Sequence, residues 1–138
     1  MTLASIVEKE TAQPEERAHV ACVYTNRMKK NWRFGADPTV IYAILLANDF
    51  KWDGKIHKSD LQRPHPYNTY VVFGLPPGPI ASPGVASLKA ALHPLTCNDY
   101  FFVSKNDRTH VFCPDAACHE RNVQKWQVEF FRRQRRGG

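Results

Sequence analysis

The sequence predicts an α+β fold in which helices pack around a small antiparallel sheet, and three observations predict it. Apolar residues recur at helical spacing in the stretches 3–11, 14–29, 39–47, 85–92 and 115–133. Strand-like patterning is confined to 67–74 and to a hairpin made by 100–104 and 109–112. Ten prolines against seven glycines mark fixed turns and no flexible linker, so the 138 residues read as one domain, 1–138. A hydrophobic content of 43% with 12% aromatics is enough for a packed core. No apolar run approaches the roughly 18 residues of a membrane span. The first helix begins too near Met1 to leave room for a signal peptide.

Taken in order, the first helix places Leu3, Ile6, Val7 and Glu10 on one face at roughly 100° per residue. Glu8, about 200° away, is expected to face solvent with Lys9. Pro14 and the acids Glu15 and Glu16 open a second helix, whose face carries Val20, Val23, Tyr24 and Arg27 with Cys22 near its edge. The short connection predicts an antiparallel helix pair, and Arg27 is expected to form a structural ion pair or, less simply, to touch a ligand. Trp32 and Phe34 lie in the next connection. Asp37 is expected as an N-cap, Pro38 as the first helical residue, and Val40, Ile41, Ile44 and Leu45 as the buried face of the third helix.

The stretch 48–66 is polar and irregular, with a short helical turn at 58–61. Alternation of Thr69, Val71 and Phe73 with Tyr70 and Val72 predicts a strand entered through Tyr67, Asn68 and Thr69. An Asx-type turn packed by Tyr67 is the competing reading. Four prolines and Gly78 stiffen 75–83. Ser82-Pro83 should cap a helix that turns Val85, Leu88, Ala91 and Leu92 inward. A β-hairpin follows around Lys105-Asn106-Asp107-Arg108, then a last helix with Val123, Trp126 and Phe130 as its core stripe.

Glu10 is the candidate for chemistry. A carboxyl group on the apolar side of a helix loses hydration, its pKa rises, and it can then donate a proton near neutral pH. The plainer alternative is a helix-end glutamate whose methylenes pack while its head reaches water. Tyr67 and Asn68 suit sugar recognition, since an aromatic face can stack on a pyranose and an amide can bond hydroxyl and N-acetyl groups. His110 and His119 suit hydrogen bonding better than metal ligation, because no acid lies at ligand spacing beside them on a regular element. Cys113 and Cys118 lack the spacing of a zinc knuckle. Cys22 reads as a small core residue, and two of Cys97, Cys113 and Cys118 can pair in an oxidising compartment; Cys113 and Cys118 bracket the loop before the last helix, and the sequence does not choose the partners. The net charge of +6 is concentrated in Arg132, Arg133, Arg135 and Arg136. Arginines clustered at one end fit a solvated helix end or an anionic polymer better than a nucleic acid.

Several blocks together carry a resemblance. Leu-Ala-Ser-Ile-Val-Glu-Lys-Glu-Thr-Ala at 3–12, Asp-Pro-Thr-Val-Ile-Tyr at 37–42, Pro-Tyr-Asn-Thr-Tyr at 66–70, Gly-Leu-Pro-Pro-Gly-Pro-Ile-Ala-Ser-Pro at 74–83 and His93-Pro94 stand in an order and spacing similar to the endolytic murein transglycosylases, the MltG or YceG-like family. The resemblance runs from residue 3 to about 128. It implies that Glu10, the second glutamate of Glu-Lys-Glu-Thr, is the catalytic acid. It also implies that Thr39 and Tyr42 lie near the glycan cleft; Tyr67, Asn68 and Thr69 at the strand entry, and Arg27, are the further candidates for substrate binding from the residues themselves. The family carries His at the hairpin and at the last helix start, followed there by Asn. This chain instead has Glu120, with Asn122 two positions on.

The activity implied is lytic cleavage of peptidoglycan between N-acetylmuramic acid and N-acetylglucosamine, leaving 1,6-anhydro ends, without metal or organic cofactor. The fold expectation is lysozyme-like by analogy, with the acid on the first helix. Glycan strands, and cell-wall synthesis proteins, are the implied partners, with no nucleic acid. Family members carry an N-terminal membrane anchor and an extracytoplasmic region that this sequence lacks, so the implied place is the outer face of the bacterial inner membrane. Hydrolysis of the same bond, with Asp37, Asp60 or Glu8 as second acid, and a non-catalytic wall-binding or scaffold role are the alternatives.

Overall fold

Helix α1 (Thr2–Glu10) presents Ala4, Ser5, Ile6 and Val7 to the interior. In the computed structural model, which describes residues 1–137, α1 packs against α2 (Arg17–Lys29) and α5 (Val85–Leu92). A 3₁₀ turn at Pro14–Glu16 leads into α2, with Pro14 at its first position as expected. The core joins Ile6 and Val7 of α1, Val20, Ala21 and Tyr24 of α2, Phe34 and Ala36 of the next connection, Ile80 and Ala90. Helix α3 (Asp37–Ala47) follows, then the single turn α4 (Lys58–Gln62).

The one sheet among the described residues is the antiparallel hairpin of β1 (Phe101–Ser104) and β2 (His110–Cys113), which pairs Phe101 with Cys113 and Ser104 with His110. Helix α6 (Ala116–Val123), capped by the Asp115 carboxylate on the Cys118 amide, continues through a π-helical stretch, Gln124–Glu129, into α7 (Phe130–Gly137). Asn106 at the hairpin tip donates to the Trp126 carbonyl at 2.6 Å and fixes this helix to the hairpin. Val123, Trp126 and Phe130 are half-buried rather than core. The α7 arginines are exposed. No helix among the described residues is long and apolar enough to cross a membrane.

Several expectations give way to local hydrogen bonding. The stretch 67–74 is a series of turns, not a strand. The Asn68 carboxamide oxygen accepts from the Tyr70 amide at 2.9 Å, and the Asn68 carbonyl accepts from both Val71 and Val72, so the chain coils on itself instead of extending. Ala36, not Asp37, is the N-cap of α3, and its inward face is Thr39, Val40, Ala43 and Ile44, with Ile41 and Leu45 half-buried.

Helix α5 buries Ser87 and Ala90, while Val85 and Leu92 are 68% and 75% exposed, because the helix lies close to α1 and α2 through its small residues. Its N-cap is Gly84, not Ser82-Pro83. Glu8, expected in solvent, accepts from the Gly84 amide at 2.6 Å and from Ser87 Oγ at 3.3 Å, and pairs with Arg17 at 3.6 Å. An acid at a helix N-terminus is favourable, and these donors hold the Glu8 carboxyl below its ordinary range, the Gly84 amide foremost. Cys22, expected as a free core residue, is bonded to Cys97, and Cys113 is bonded to Cys118.

Candidate active site

A cleft of about 440 Å³ opens between the end of α1, α2, the 32–37 connection and the hairpin. Its lining includes Glu10, Tyr24, Arg27, Trp32, Asp37, Tyr70, Phe101 and His119. Glu10 is the last residue of α1, since Thr11 is already extended at φ −144° and ψ 138°. The helix face that carries Ile6 and Val7 into the core thus delivers this acid to the cleft floor. It is part-exposed to the cleft and otherwise surrounded by protein.

Burial raises the Glu10 carboxyl from an ordinary 4.5 to about 7. The Tyr24 hydroxyl, which donates to Glu10 Oε1 at 2.7 Å, opposes the shift; the Asp37 charge adds to it and the Arg27 guanidinium reduces it. The position at a helix C-terminus also disfavours the anion. Tyr24 is itself buried, and its hydroxyl is pushed well above the usual phenol range by burial and by Glu10. It is therefore a fixed donor.

Arg27 forms neither the expected ion pair nor a free surface charge. Its Nε donates to the Tyr100 carbonyl at 2.8 Å and its Nη1 to the Phe34 carbonyl, with the guanidinium 5.6 Å from the rings of Tyr24 and of Phe101. It joins the hairpin to the 32–36 connection while lending positive charge to the cleft.

On the opposite wall, Tyr70 donates to Asp37 Oδ1 at 2.5 Å. The Tyr70 ring lies against Gly35, where φ is +58° and an added Cβ would meet ring carbons at 3.4–3.7 Å. Trp32 is 42% and Tyr70 37% exposed, so both offer ring surface to a ligand. His119 stacks on Phe101 with centroids 4.9 Å apart, and its Nδ1 is buried without a protein partner. Burial, and then Arg27, lowers its pKa, so the imidazole is neutral at pH 7.

Of the residues expected to act on or bind the glycan, Glu10 and Arg27 meet in this cleft, with Asp37 and His119 of the other candidates, while Thr39, Tyr42, Tyr67, Asn68 and Thr69 do not line it. Thr39 and Thr69 are fully buried, with their hydroxyls 2.7 Å apart; Thr39 donates to the Ala36 carbonyl and Thr69 Oγ1 accepts from the Ala36 amide. Asn68 is 1% exposed, and its amide nitrogen donates to the carbonyls of Asp60, Leu61 and Arg63. Tyr42 and Tyr67 pack on each other at 4.8 Å against the core. The polar side-chain atoms of Thr39, Thr69 and Asn68 are spent on backbone and on each other, which leaves them nothing for a sugar. His110 lies outside the cleft lining, bonded through its ring and its amide to Glu16.

Tyr24, Trp32 and Tyr70 are cleft residues to which sequence reasoning gives no role; Asp37 enters there only as a cap or a second acid for hydrolysis, and His119 only as a hydrogen-bonding histidine. One signal existed for Tyr24: a buried hydroxyl on the α2 face needs a partner, and the apolar face of α1 carries one polar head.

Fold and site define a class of α+β domain in which a desolvated helix-end acid sits at the floor of an aromatic cleft. Comparison names the family: the chain belongs to the YceG-like family, whose model matches residues 1–125. It is 36% identical over 126 residues to the endolytic murein transglycosylase of Bacillus subtilis, covering 91% of this chain and 34% of that protein. Against the endolytic murein transglycosylase of Streptococcus pneumoniae it is 30% identical over 131 residues, 89% of this chain and 22% of that protein. The crystal structure of a YceG-like protein from Listeria monocytogenes superposes with a TM-score of 0.79 at 36% identity, covering 87% of this chain and 38% of that one. The chain thus spans about a third or less of the curated relatives it matches.

Proposed function

We propose that this domain is a peptidoglycan lytic transglycosylase that cleaves the β-1,4 bond between N-acetylmuramic acid and N-acetylglucosamine, with Glu10 as its acid and base. The observation that carries the reading is the Glu10 carboxyl, held near neutrality at the floor of an open cleft. The names of the relatives support the substrate class.

Protonated Glu10 donates to the bridging oxygen, and the glycosidic bond breaks through an oxocarbenium-like or N-acetyl-assisted state. The resulting carboxylate, stabilised by the Tyr24 hydroxyl and by Arg27, removes the proton of the muramyl 6-hydroxyl. That oxygen attacks its own anomeric carbon and closes a 1,6-anhydro ring, which returns the proton to Glu10. An intramolecular nucleophile replaces a positioned water through its effective molarity, so one carboxylate suffices. Trp32 and Tyr70 supply faces for pyranose stacking, and His119 lines the same cleft beside Phe101. No step calls for a metal or organic cofactor.

One observation favours hydrolysis instead: Asp37 brings a second carboxylate to the same cleft. Its engagement by Tyr70 at 2.5 Å ties it to the wall. Digestion of purified sacculi followed by mass analysis separates the readings. Anhydro ends are lighter than hydrolysed ends by one water, and absence of soluble fragments from folded domain overturns the catalytic reading in favour of a binding scaffold. Two disulfides fit an oxidising, extracytoplasmic location at the cell envelope, and the exposed arginines of α7 fit the carboxylates of stem peptides or an acidic cell-wall synthesis partner.

A further inference from the structure

Outside the cleft, four metal-binding side chains converge where α2 meets the segment before the hairpin. His19 and Cys22 stand three residues apart on α2, and Cys97 and Asp99 two apart on the facing segment. His19 Nε2 lies 2.7 Å from Asp99 Oδ2, and the ligand atoms of His19, Cys97 and Asp99 all fall within 4.8 Å of one another. Cys22 is bonded to Cys97 and so shares the place. We propose that reduction of the Cys22–Cys97 disulfide converts this cluster into a tetrahedral zinc site with His19, Cys22, Cys97 and Asp99 as ligands.

The chemistry of the set suits zinc, which takes thiolate sulfur at about 2.3 Å and imidazole nitrogen or carboxylate oxygen at about 2.0–2.2 Å. Ligand atoms at such bond lengths stand roughly 3.3–3.8 Å apart in a tetrahedron. The two sulfurs must separate and the His19–Asp99 contact must loosen slightly, by rotation about side-chain bonds. The surroundings hold the ligands without the disulfide. Asn26 Nδ2 donates to the carbonyls of Cys97 and Asp99, each at 3.0 Å, and pins the segment to α2. The His19 ring stacks on Phe112 with centroids 3.5 Å apart, which fixes its direction. His19 and Asp99 side chains remain 25% and 21% exposed, so an ion has a path in.

The exchange balances. A dithiol reductant gives two electrons and two protons to the disulfide and leaves as its own disulfide; zinc then displaces both thiol protons. In the oxidised chain the two sulfurs are spent on each other, so disulfide and zinc exclude one another. Either staple holds Asp99, and with it the adjacent Tyr100 carbonyl on which Arg27 Nε rests at 2.8 Å. The inference does not depend on the glycan reading of the cleft.

The test uses the Cys113→Ser/Cys118→Ser protein, which removes the other thiol pair. Reduced anaerobically with a phosphine, it is expected to bind one Zn²⁺ per chain with Kd below about 1 μM. Co²⁺ should give the strong visible bands of a tetrahedral site with thiolate charge transfer. The oxidised form should bind neither metal at this affinity. His19→Gln and Asp99→Asn should each weaken binding at least tenfold, and Cys22→Ser more. Affinity in the reduced protein no greater than in its Cys22→Ser variant, or unmoved by both His19→Gln and Asp99→Asn, overturns the site. Where reduction alone lowers the helical circular dichroism, zinc must restore it; failure to recover overturns the proposal equally.

Discussion

Two polar clusters face each other across the wall of the cleft, and their accounts differ. Behind the wall, Thr39, Thr69 and Asn68 are buried, and their side-chain donors are matched by carbonyls or by each other. In the cleft, Glu10 at the floor keeps one strong contact from Tyr24, Asp37 on the wall takes one from Tyr70, and the buried His119 Nδ1 takes none. Residue types that could serve a sugar occur in both. A saturated cluster holds the fold, because each of its bonds compensates a group removed from water. An unsaturated cluster that is desolvated by its neighbours has capacity left for a ligand and retains the strain of keeping it.

The comparison is broken most sharply at Glu10. Glu10→Gln should lower glycan cleavage by about 10²–10⁴-fold, since the amide keeps the shape but cannot carry the proton. The same variant should be more stable than the wild type at pH 8. The folded pKa lies above the unfolded one, so stability from the protonated acid is complete below about pH 4.5 and is lost as pH rises through about 7. The gain at pH 8 is of order 3 kcal/mol, falling to nothing near pH 4, as read by chemical denaturation. An inactive variant with no alkaline gain would mean that the acid is essential but not strained.

Asn68→Ala sharpens the other side. It should cost about 1–3 kcal/mol by removing a buried carboxamide that ties the carbonyls of Asp60, Leu61 and Arg63 together, while turnover per folded molecule stays normal. Normal melting with lost turnover would move Asn68 into the site. Glu8→Gln is the smallest change. It should leave cleavage unaffected and destabilise by about 1 kcal/mol at pH 7 through weaker capping of α5. Because the Glu8 pKa is lowered by folding, that cost should shrink as pH falls below the ordinary carboxylate range and through its folded value, which thermal melts over a descending pH series follow directly.

The legible parts of this molecule are those fixed by short-range periodicity. The face of α1 that carries Glu10, the proline entry to α2, the hairpin and the last helix follow from residues a few positions apart. The strand expected at 67–74 failed because alternation says nothing of a side chain that bonds its own backbone, as Asn68 does. The Cys22–Cys97 bond spans 75 residues, and the Asp37–Tyr70 and Glu8–Gly84 contacts likewise join elements whose meeting depends on the whole packing. Tyr70 was taken for one position in a strand and is a wall of the cleft. Asp37 was taken for a cap, yet it is the first residue of α3 and faces the acid's field.

The most direct measurement is the titration of the Glu10 carboxyl carbon by nuclear magnetic resonance, with Glu10→Gln used to assign the signal. The desolvated-acid account requires a midpoint near 7, and a higher one in Tyr24→Phe, because that substitution removes a hydrogen bond favouring the charged form. A midpoint near the ordinary 4.5 would show Glu10 solvated or fully paired, and would contradict the claim that this cleft holds an acid ready to donate its proton at neutral pH.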